Sequence, residues 1–320
     1  MEMPDWAKIA LELDGGGGAT AFSLSGRLPD SPRTIWVHLD YSAGATRRWL
    51  EQQPAIPGAA LDALLARETR PRAAELAGGL LVYLRGVNLS PDARPEDMIA
   101  VRLWIKDNLV ISTQKRQLST ITELQDTLAR GEGPRSPSNL VARLVDGLTW
   151  RMEEVIERVE DRVAEYSACL ETSPDRALTH RISGLRRRAI TLRRYLAPQR
   201  EAIARLQGDA RLTHTDGDTI REAGERLLRL LEDLDAAREH ATLLQEQVFS
   251  IQNEAINDRM YLLAIVSALF LPLSFLTGLF GINVGGLPGV DNPDAFWWFA
   301  GALALFAAGV LGWMARRRWF

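Results

Sequence analysis

The sequence predicts an α+β cytoplasmic domain with long helices, followed by two transmembrane helices near its C-terminal end. Two apolar spans predict the membrane part, because residues 260–280 contain no charged residue in 21 positions and residues 295–314 contain none in 20. A helix needs about 20 apolar residues to cross the hydrocarbon core of a bilayer. Short strand-like runs early in the chain and long proline-free runs after them predict the α+β part.

Residues 1 to about 118 alternate strand-like and helix-like pieces. Apolar residues alternate with others along 99–105, which predicts a half-buried strand. Asp107 and Asn108 predict a tight turn into the next strand, so the two strands should form a hairpin. The predicted strands are 20–25, 34–39, 80–84, 98–105 and 108–113, and the predicted short helices are 46–53 and 61–66.

After Thr120 the pattern changes to helices. Thr120 and Glu123 have the spacing of a capping box before a helix that ends near Gly131. Apolar residues recur at steps of three and four along 139–170, which predicts an amphipathic helix. A second long helix should begin at 173–175.

Two prolines bear on the remaining helices. Pro198 should kink or end the second long helix, and residues 208–217 read as a loop. From Thr219 no proline interrupts the chain until Pro272, inside the first apolar span. A helix from Thr219 to residue 280 would be roughly 90 Å long, so it should form a stalk that enters the bilayer and packs against partner helices.

The charges around the spans predict the orientation in the membrane. Residues 281–294 contain no Lys or Arg, whereas Arg259 precedes the first span and 316–318 are three arginines. Positive flanks stay on the cytoplasmic side, which places both termini in the cytoplasm of a bacterial inner membrane protein. Residues 1–9 do not read as a signal peptide, and the single cysteine, Cys169, suits a reducing compartment.

These observations divide the chain into seven segments. The predicted boundaries are 1–134 for a cytoplasmic α/β domain, 135–218 for a cytoplasmic helical hairpin region, 219–259 for a stalk helix, 260–280 for the first transmembrane helix, 281–294 for an external loop, 295–315 for the second transmembrane helix and 316–320 for a basic cytoplasmic tail.

One stripe of the first span carries small and weakly polar side chains. Such a stripe allows close packing of helices in lipid, or it lines a water-filled path. Two helices cannot enclose a path, so the second alternative requires a ring of subunits. The residues on or beside this stripe that would line a path are Asn257, Met260, Ser267, Leu271, Ser274 and Thr277.

The outer end of this stripe carries an amide and two acids. Asn283 is the one amide near the end of the first span, and its oxygen in several copies would hold a metal ion through hydration water. Asp291 and Asp294 would make the outer mouth negative. Neither span contains a carboxylate or a histidine, so an ion would have to pass while keeping much of its water.

Charge is distributed unevenly in the soluble part. Residues 176–205 contain nine arginines and one acid, whereas 216–258 contain eleven acids and four arginines. Paired solvated helix faces explain both segments, and an acidic path that attracts cations is the alternative for the second. We predict no nucleic-acid partner. The sequence shows no nucleophile–base pair, no phosphate loop and no paired catalytic carboxylates, so we predict that the protein is not an enzyme.

Gly281, Ile282 and Asn283, placed after the first of two C-terminal spans, resemble the Gly-Met-Asn signature of the CorA family of divalent-cation transporters. The continuation Val284-Gly285-Gly286-Leu287-Pro288-Gly289 resembles the zinc-transporter branch of that family, the ZntB branch. The stretches 68–72, 84–89 with 95–98, and 195–200 resemble this branch as well. The resemblance covers almost the whole chain.

The resemblance implies a funnel-shaped homopentamer in which the stalk and first span line the pore. It implies a selectivity site at Gly281, Ile282 and Asn283, and an apolar constriction at Met260 and Leu263. Its pore positions in this chain are Asn257, Met260, Leu263, Ser267, Leu271 and Ser274.

The implied cargo is a divalent cation, with zinc first, and no resident cofactor. Zn²⁺ prefers Cys, His and carboxylate ligands, yet no Cys or His follows His240. Magnesium, cobalt and nickel therefore stay open as cargo of the same kind of transporter. A membrane-anchored cytoplasmic sensor is the alternative from another class. Expected partners are copies of the same chain, membrane lipid and divalent metal ions.

Overall fold

The structure is a computed structural model that describes residues 3–91, 93–172, 176–282 and 292–316. It forms two compact units, Met1–Glu246 and Gln247–Phe320. The first unit contains a mixed sheet with helices on both faces, and the second contains the two apolar helices.

Seven strands form one sheet in the order β2-β1-β3-β7-β6-β5-β4. All neighbours pair antiparallel except β3 and β7, which are parallel. The strands are β1 Ala7–Leu13, β2 Ala19–Ala21, β3 Ile35–Asp40, β4 Arg72–Leu76, β5 Gly79–Gly86, β6 Ile99–Lys106 and β7 Leu109–Gln114.

The predicted hairpin is confirmed, because β6 and β7 pair antiparallel and Lys106 faces Leu109 across the turn. Asp107 in that turn has a φ of 49°, a backbone conformation that short polar residues tolerate. The predictions for β3 and β5 are confirmed as well. The predicted strand at 20–25 is reduced to β2, and β1 and β4 were not predicted from the sequence.

The central strands are buried on both faces, which explains their nearly continuous apolar sequence. Leu81 and Tyr83 of β5 point into a core that also contains Trp49 and Leu64, on helices α1 (Gly44–Glu51) and α2 (Gly58–Leu64). Alternate residues of a strand point to opposite faces. Gly86 accordingly lies against Leu148 of α4 (Pro137–Thr172), where an added Cβ would come 2.7 Å from the leucine.

The capping box at Thr120 and Glu123 is a wrong prediction. Helix α3 (Ser119–Ala129) has Leu118 as its N-cap, without a side-chain cap. Thr120 lies inside the helix, and its Cγ2 atom is within 2.8 Å of the place a Cβ on Gly147 would take. Glu123 instead accepts a hydrogen bond from Arg151 Nη2 at 2.7 Å. Thr120 and Glu123 therefore contact α4 instead of capping α3.

Three long helices follow: α4 (Pro137–Thr172), α5 (Arg176–Gln207) and α6 (His214–Phe280). The last helix is α7 (Ala295–Arg316). Pro198 lies within α5 and does not end it. Helix α6 begins at His214, before Thr219, and Thr213 Oγ1 accepts a hydrogen bond from the backbone N–H of Asp216 at 3.2 Å at this helix start. The buried carboxylate of Asp216 accepts hydrogen bonds from Thr213, Ser138 and Asn139. These bonds hold the first turns of α4 and α6 together.

Candidate cation pathway

The residues predicted to line a path lie on the part of α6 that belongs to the unit Gln247–Phe320. Met260, Leu263 and Leu271 are 64%, 66% and 69% exposed. Asn257, Ser274 and Thr277 are exposed as well, and Ser267 is half-buried. At the end of α6, Gly281 and Ile282 are exposed, as is Asp294 before α7. Asn283 and Asp291 lie outside the described residues.

One face of α6 packs against α7. Phe280 and Phe299 have ring centroids 4.8 Å apart. The more buried residues of each helix recur at steps of three and four, as expected of one contact face. On α6 they are Ile265, Leu269, Pro272, Leu273 and Leu276, and on α7 they are Ala295, Phe299, Ala300, Leu303, Ala307 and Val310. Ser267 of α6 is half-buried as well but lies outside this face.

Most of the predicted path residues lie on the opposite side of α6 from this contact face. With about 100° of rotation per residue, Met260, Leu263 and Ser274 point within about 40° of the direction opposite Ile265. Ile265 is 7% exposed. Leu271 and Thr277 lie about 60° to either side of that direction, whereas Asn257 lies about 80° from Ile265 itself. Apart from the half-buried Ser267, the polar stripe of α6 within the span is therefore exposed, and the sequence did not predict which face α7 would take.

The Thr277 hydroxyl on this face offers oxygen lone pairs rather than a proton. Thr277 Oγ1 donates to the carbonyl of Leu273 at 2.9 Å and lies 3.1 Å from that of Ser274. Because its proton is used within the helix, the free lone pairs of Thr277 are available to a cation or to its hydration water.

Gly281 has a physical reason to be glycine. Its N–H donates to the carbonyls of Thr277 at 2.9 Å and Gly278 at 3.2 Å, which closes the end of α6. A Cβ on Gly281 would lie only 2.9 Å from the Thr277 oxygen. Any side chain at Gly281 would therefore disturb the helix end that leads into the predicted selectivity loop.

No three His, Cys, Asp or Glu side chains of the described residues form a group able to hold a metal ion. Along 260–280 the chain has no charge at all. The described part of this unit thus offers oxygen acceptors to a hydrated cation, and no site for a bare one.

The basic and acidic segments of the soluble unit pair only in part. Arg193 of α5 pairs with Asp235 of α6 at 2.7 Å, as the paired-face interpretation predicts. Burial and the nearby carboxylates of Asp233, Asp161 and Glu157 raise the pKa of Glu160. An acidic surface between α4 and α6 therefore remains beside the paired one, and both interpretations of the charge pattern keep support.

Comparison with known proteins identifies the family. The family described as "CorA-like Mg2+ transporter protein" matches residues 32–317. The chain belongs to the CorA family. The zinc transport protein ZntB of Pectobacterium atrosepticum is 36% identical over 97% of this chain and 95% of its own. The divalent cation transporter CmaX of Pseudomonas aeruginosa is 39% identical over 95% and 93%.

A solved structure extends this agreement to the fold. The structure of the full-length CmaX protein is 37% identical and superposes with a TM-score of 0.84, covering 99% of each chain. The resemblance stated from the signature loop is thereby confirmed. CorA proteins transport divalent cations across membranes, so this chain is a transporter rather than an enzyme, and the anchored-sensor alternative is set aside. Helices α6 and α7 are long and apolar enough to span the membrane.

Proposed function

We propose that this CorA-family transporter takes up zinc through a homopentameric pore in the bacterial inner membrane. The observation that carries the proposal is the uncovered stripe of α6, which faces away from α7 and combines hydroxyls, small residues and an apolar end. A stripe that its own hairpin does not cover needs either lipid or neighbouring copies, and its hydroxyls favour water.

In this proposal each subunit contributes Asn257, Met260, Leu263, Ser267, Leu271, Ser274 and Thr277 to the pore. Met260 and Leu263 form an apolar constriction near the cytoplasmic end, where the ring of subunits would exclude water when closed. Both termini lie in the cytoplasm, because the positive flanks of the two spans stay there.

The outer site consists of Gly281, Ile282 and Asn283. The Asn283 oxygens of the ring hold the hydrated ion, while Gly281 lets the helix end turn tightly. Asp291 and Asp294 raise the local cation concentration at the mouth.

Zinc as the cargo rests on the relatives, since one is named a zinc transport protein and another a divalent cation transporter. The residues themselves favour hydrated divalent cations in general. Magnesium, cobalt and nickel are therefore the second candidates, supported by the absence of His and Cys after His240.

The test is metal flux into proteoliposomes that contain the full-length protein, with Zn²⁺ and Mg²⁺ supplied separately. Asn283→Ala should reduce uptake at least about tenfold, because each subunit loses the oxygen that binds the ion's water. The matched control is Asn292→Ala, which removes an amide from the same loop outside the signature. Light scattering and thermal melting should show that both variants keep the oligomer and the fold.

Zn²⁺ uptake that Asn283→Ala abolishes and Asn292→Ala preserves would support the proposal. Equal Mg²⁺ uptake would mean that the pore sorts divalent cations weakly and would favour the second candidates. If pentameric, folded protein moved neither metal, the proposed pore would be wrong.

A further inference from the structure

Three cytoplasmic stretches, 68–72, 84–89 and 195–200, have no part in the proposed pore, and the structure brings them together. Arg85 connects them: its Nη2 donates to the Thr69 carbonyl at 2.8 Å and its backbone N–H donates to Gln199 Oε1 at 2.7 Å. Its guanidinium carbon lies 4.3 Å from the ring centroid of Tyr195. They border a cavity of about 600 Å³, the arginine pocket, lined by Glu68, Thr69, Arg70, Arg85, Arg194 and Tyr195.

The arginine pocket is strongly positive. Three guanidinium groups and a single carboxylate, that of Glu68, line it. Arg102 adds a further positive charge nearby, with its side chain fully buried. Burial lowers the pKa of Arg85, the Tyr195 hydroxyl opposes this, and the positive charges of Arg102 and Arg194 lower it further.

Aromatic rings, rather than carboxylates, accompany these charges. Arg85 and Arg194 both lie over Tyr195, at 4.3 and 4.7 Å, and Arg102 lies 4.1 Å from the ring centroid of Tyr41. Among the residues that the structure describes, no carboxylate forms an ion pair with these three arginines or with Arg70. Arg70 and Arg194 are exposed, whereas Arg85 is half-buried and Arg102 is buried. Uncompensated buried charge is costly in a folded protein, and an anionic ligand near Arg85 would offset it.

Buried hydrogen-bond donors also favour an anionic ligand. Within the described part of the chain, Arg85 Nε, Arg102 Nε and Arg102 Nη1 are buried and have no acceptor. Arg102 Nη2 makes a weak bond to the Arg67 carbonyl at 3.3 Å, Arg102 also has a side-chain hydrogen bond with Tyr41, and it lies behind the residues that line the cavity. Arg85 lines the cavity, and its Nη1 and Nη2 donate to the carbonyls of Met98 and Thr69. Because buried donors in native proteins are nearly always satisfied, its remaining Nε donor favours an acceptor-rich ligand.

We propose that the arginine pocket binds a phosphate-class oxyanion, either inorganic phosphate or the phosphate group of a nucleotide. Guanidinium groups match the geometry of phosphate oxygens better than any other side chain. The cavity is within the range of about 300–1,000 Å³ that is usual for small-molecule sites, so it admits more than a bare ion. This site goes beyond cation transport and does not depend on it.

A bound oxyanion would join separate elements of the soluble unit. Arg70 precedes β4, Arg85 lies on β5 and Arg194 lies on α5. A ligand that contacts all three would hold α5 against the sheet and stabilise the folded unit, because it binds only when these elements are in place. Arg70 and Arg194 are exposed at the cavity, where Arg194 Nη2 also donates to the Tyr195 hydroxyl at 2.7 Å.

The test is calorimetric titration and thermal melting of the full-length protein in detergent, with inorganic phosphate, ADP and NaCl at matched ionic strength. The test variant is Arg70→Gln with Arg194→Gln. The control is Arg187→Gln with Arg200→Gln, which removes the same charge from exposed positions of α5 outside the pocket. We expect phosphate or ADP to raise the melting temperature, and the test variant to bind at least about tenfold more weakly than the control.

The two ligands distinguish the source of the oxyanion. Binding of phosphate and ADP with similar affinity would indicate a free oxyanion site, and much tighter ADP binding would indicate a nucleotide site. The proposal would be overturned if neither ligand bound, if NaCl gave the same shift, or if the two double variants bound the ligand equally well.

Discussion

The two units of this chain use apolar side chains in opposite ways. In Met1–Glu246 the large apolar residues are inside, and Trp36, Leu103 and Trp104 have no exposed surface. In the two spanning segments Ile265 is the single described residue that is buried, while Trp298 and Leu305 are 77% and 78% exposed. The first unit completes its own core, whereas the second leaves its apolar side chains exposed, as expected of helices that lipid surrounds.

Truncating one leucine in each unit tests this difference in burial most directly. Leu103→Ala leaves a cavity in the core of the sheet and should cost about 2–5 kcal/mol of unfolding free energy. Leu305→Ala should leave the stability of the soluble unit unchanged, because lipid takes the place of the lost methyl groups. Denaturant unfolding of the full-length protein in micelles measures both. Equal losses would mean that α7 contributes to a shared core.

A pH series should separate the units by a different property. Burial lowers the pKa of His38 from 6.5 to about 4, against the raising effects of Gln114 and Asp40. The unfolded chain therefore takes up this proton near pH 6.5 while the folded chain does not until about pH 4. Stability is lost as the pH falls through that window, by about 3 kcal/mol in full.

His38→Gln stays neutral at every pH and should flatten this dependence. The measurement is denaturant unfolding at several pH values between 7 and 4.5, with the unmodified chain alongside. The spans contain no histidine, so this effect belongs to the soluble unit alone. A variant with the same pH slope as the unmodified chain would show that His38 is not the group that titrates.

Two aspartates in the first turns of α6, both in the unit Met1–Glu246, should behave differently because one is buried and the other is exposed. Asp216→Ala leaves Ser138, Asn139 and Thr213 without their shared acceptor, and should lower the unfolding free energy by about 1–3 kcal/mol. Thermal melting measures this loss, and Asp218→Ala on the same turn of α6 is the exposed control. No difference between the two would mean that solvent replaces the buried bonds.

The smallest expected effect is at Asp294, which the proposal places at the outer mouth. Asp294→Asn should leave the fold intact and reduce divalent-cation uptake about two- to fivefold at low ionic strength, and less at high salt, because it acts only by attracting cations. Proteoliposome flux at two salt concentrations is the measurement, with Glu239→Gln as a control of equal charge. A loss that salt does not change would point to direct metal contact.

Local patterns in the sequence were sufficient for the elements whose environment is uniform. The uncharged spans, the β6–β7 hairpin and the long helices were predicted from their periodicity or length. Each of these elements keeps the same surroundings along its whole length, either lipid or a protein core, so its sequence pattern is regular. The signature loop was sufficient to predict the family. Predictions failed where contacts with other elements determine the role of a residue or strand. Thr120 packs on Gly147 instead of capping α3, and β4, as an edge strand, carries little of the apolar pattern that marks a strand.

By itself, the sequence determined that the chain is a CorA-type transporter with two spans, a polar stripe on α6 and a signature at Gly281–Asn283, because these depend on composition and order along one helix. Only the tertiary structure decided that α7 covers the opposite face of α6, and that three separate stretches meet at Arg85. Contacts between elements distant in sequence depend on packing geometry, which no local pattern encodes.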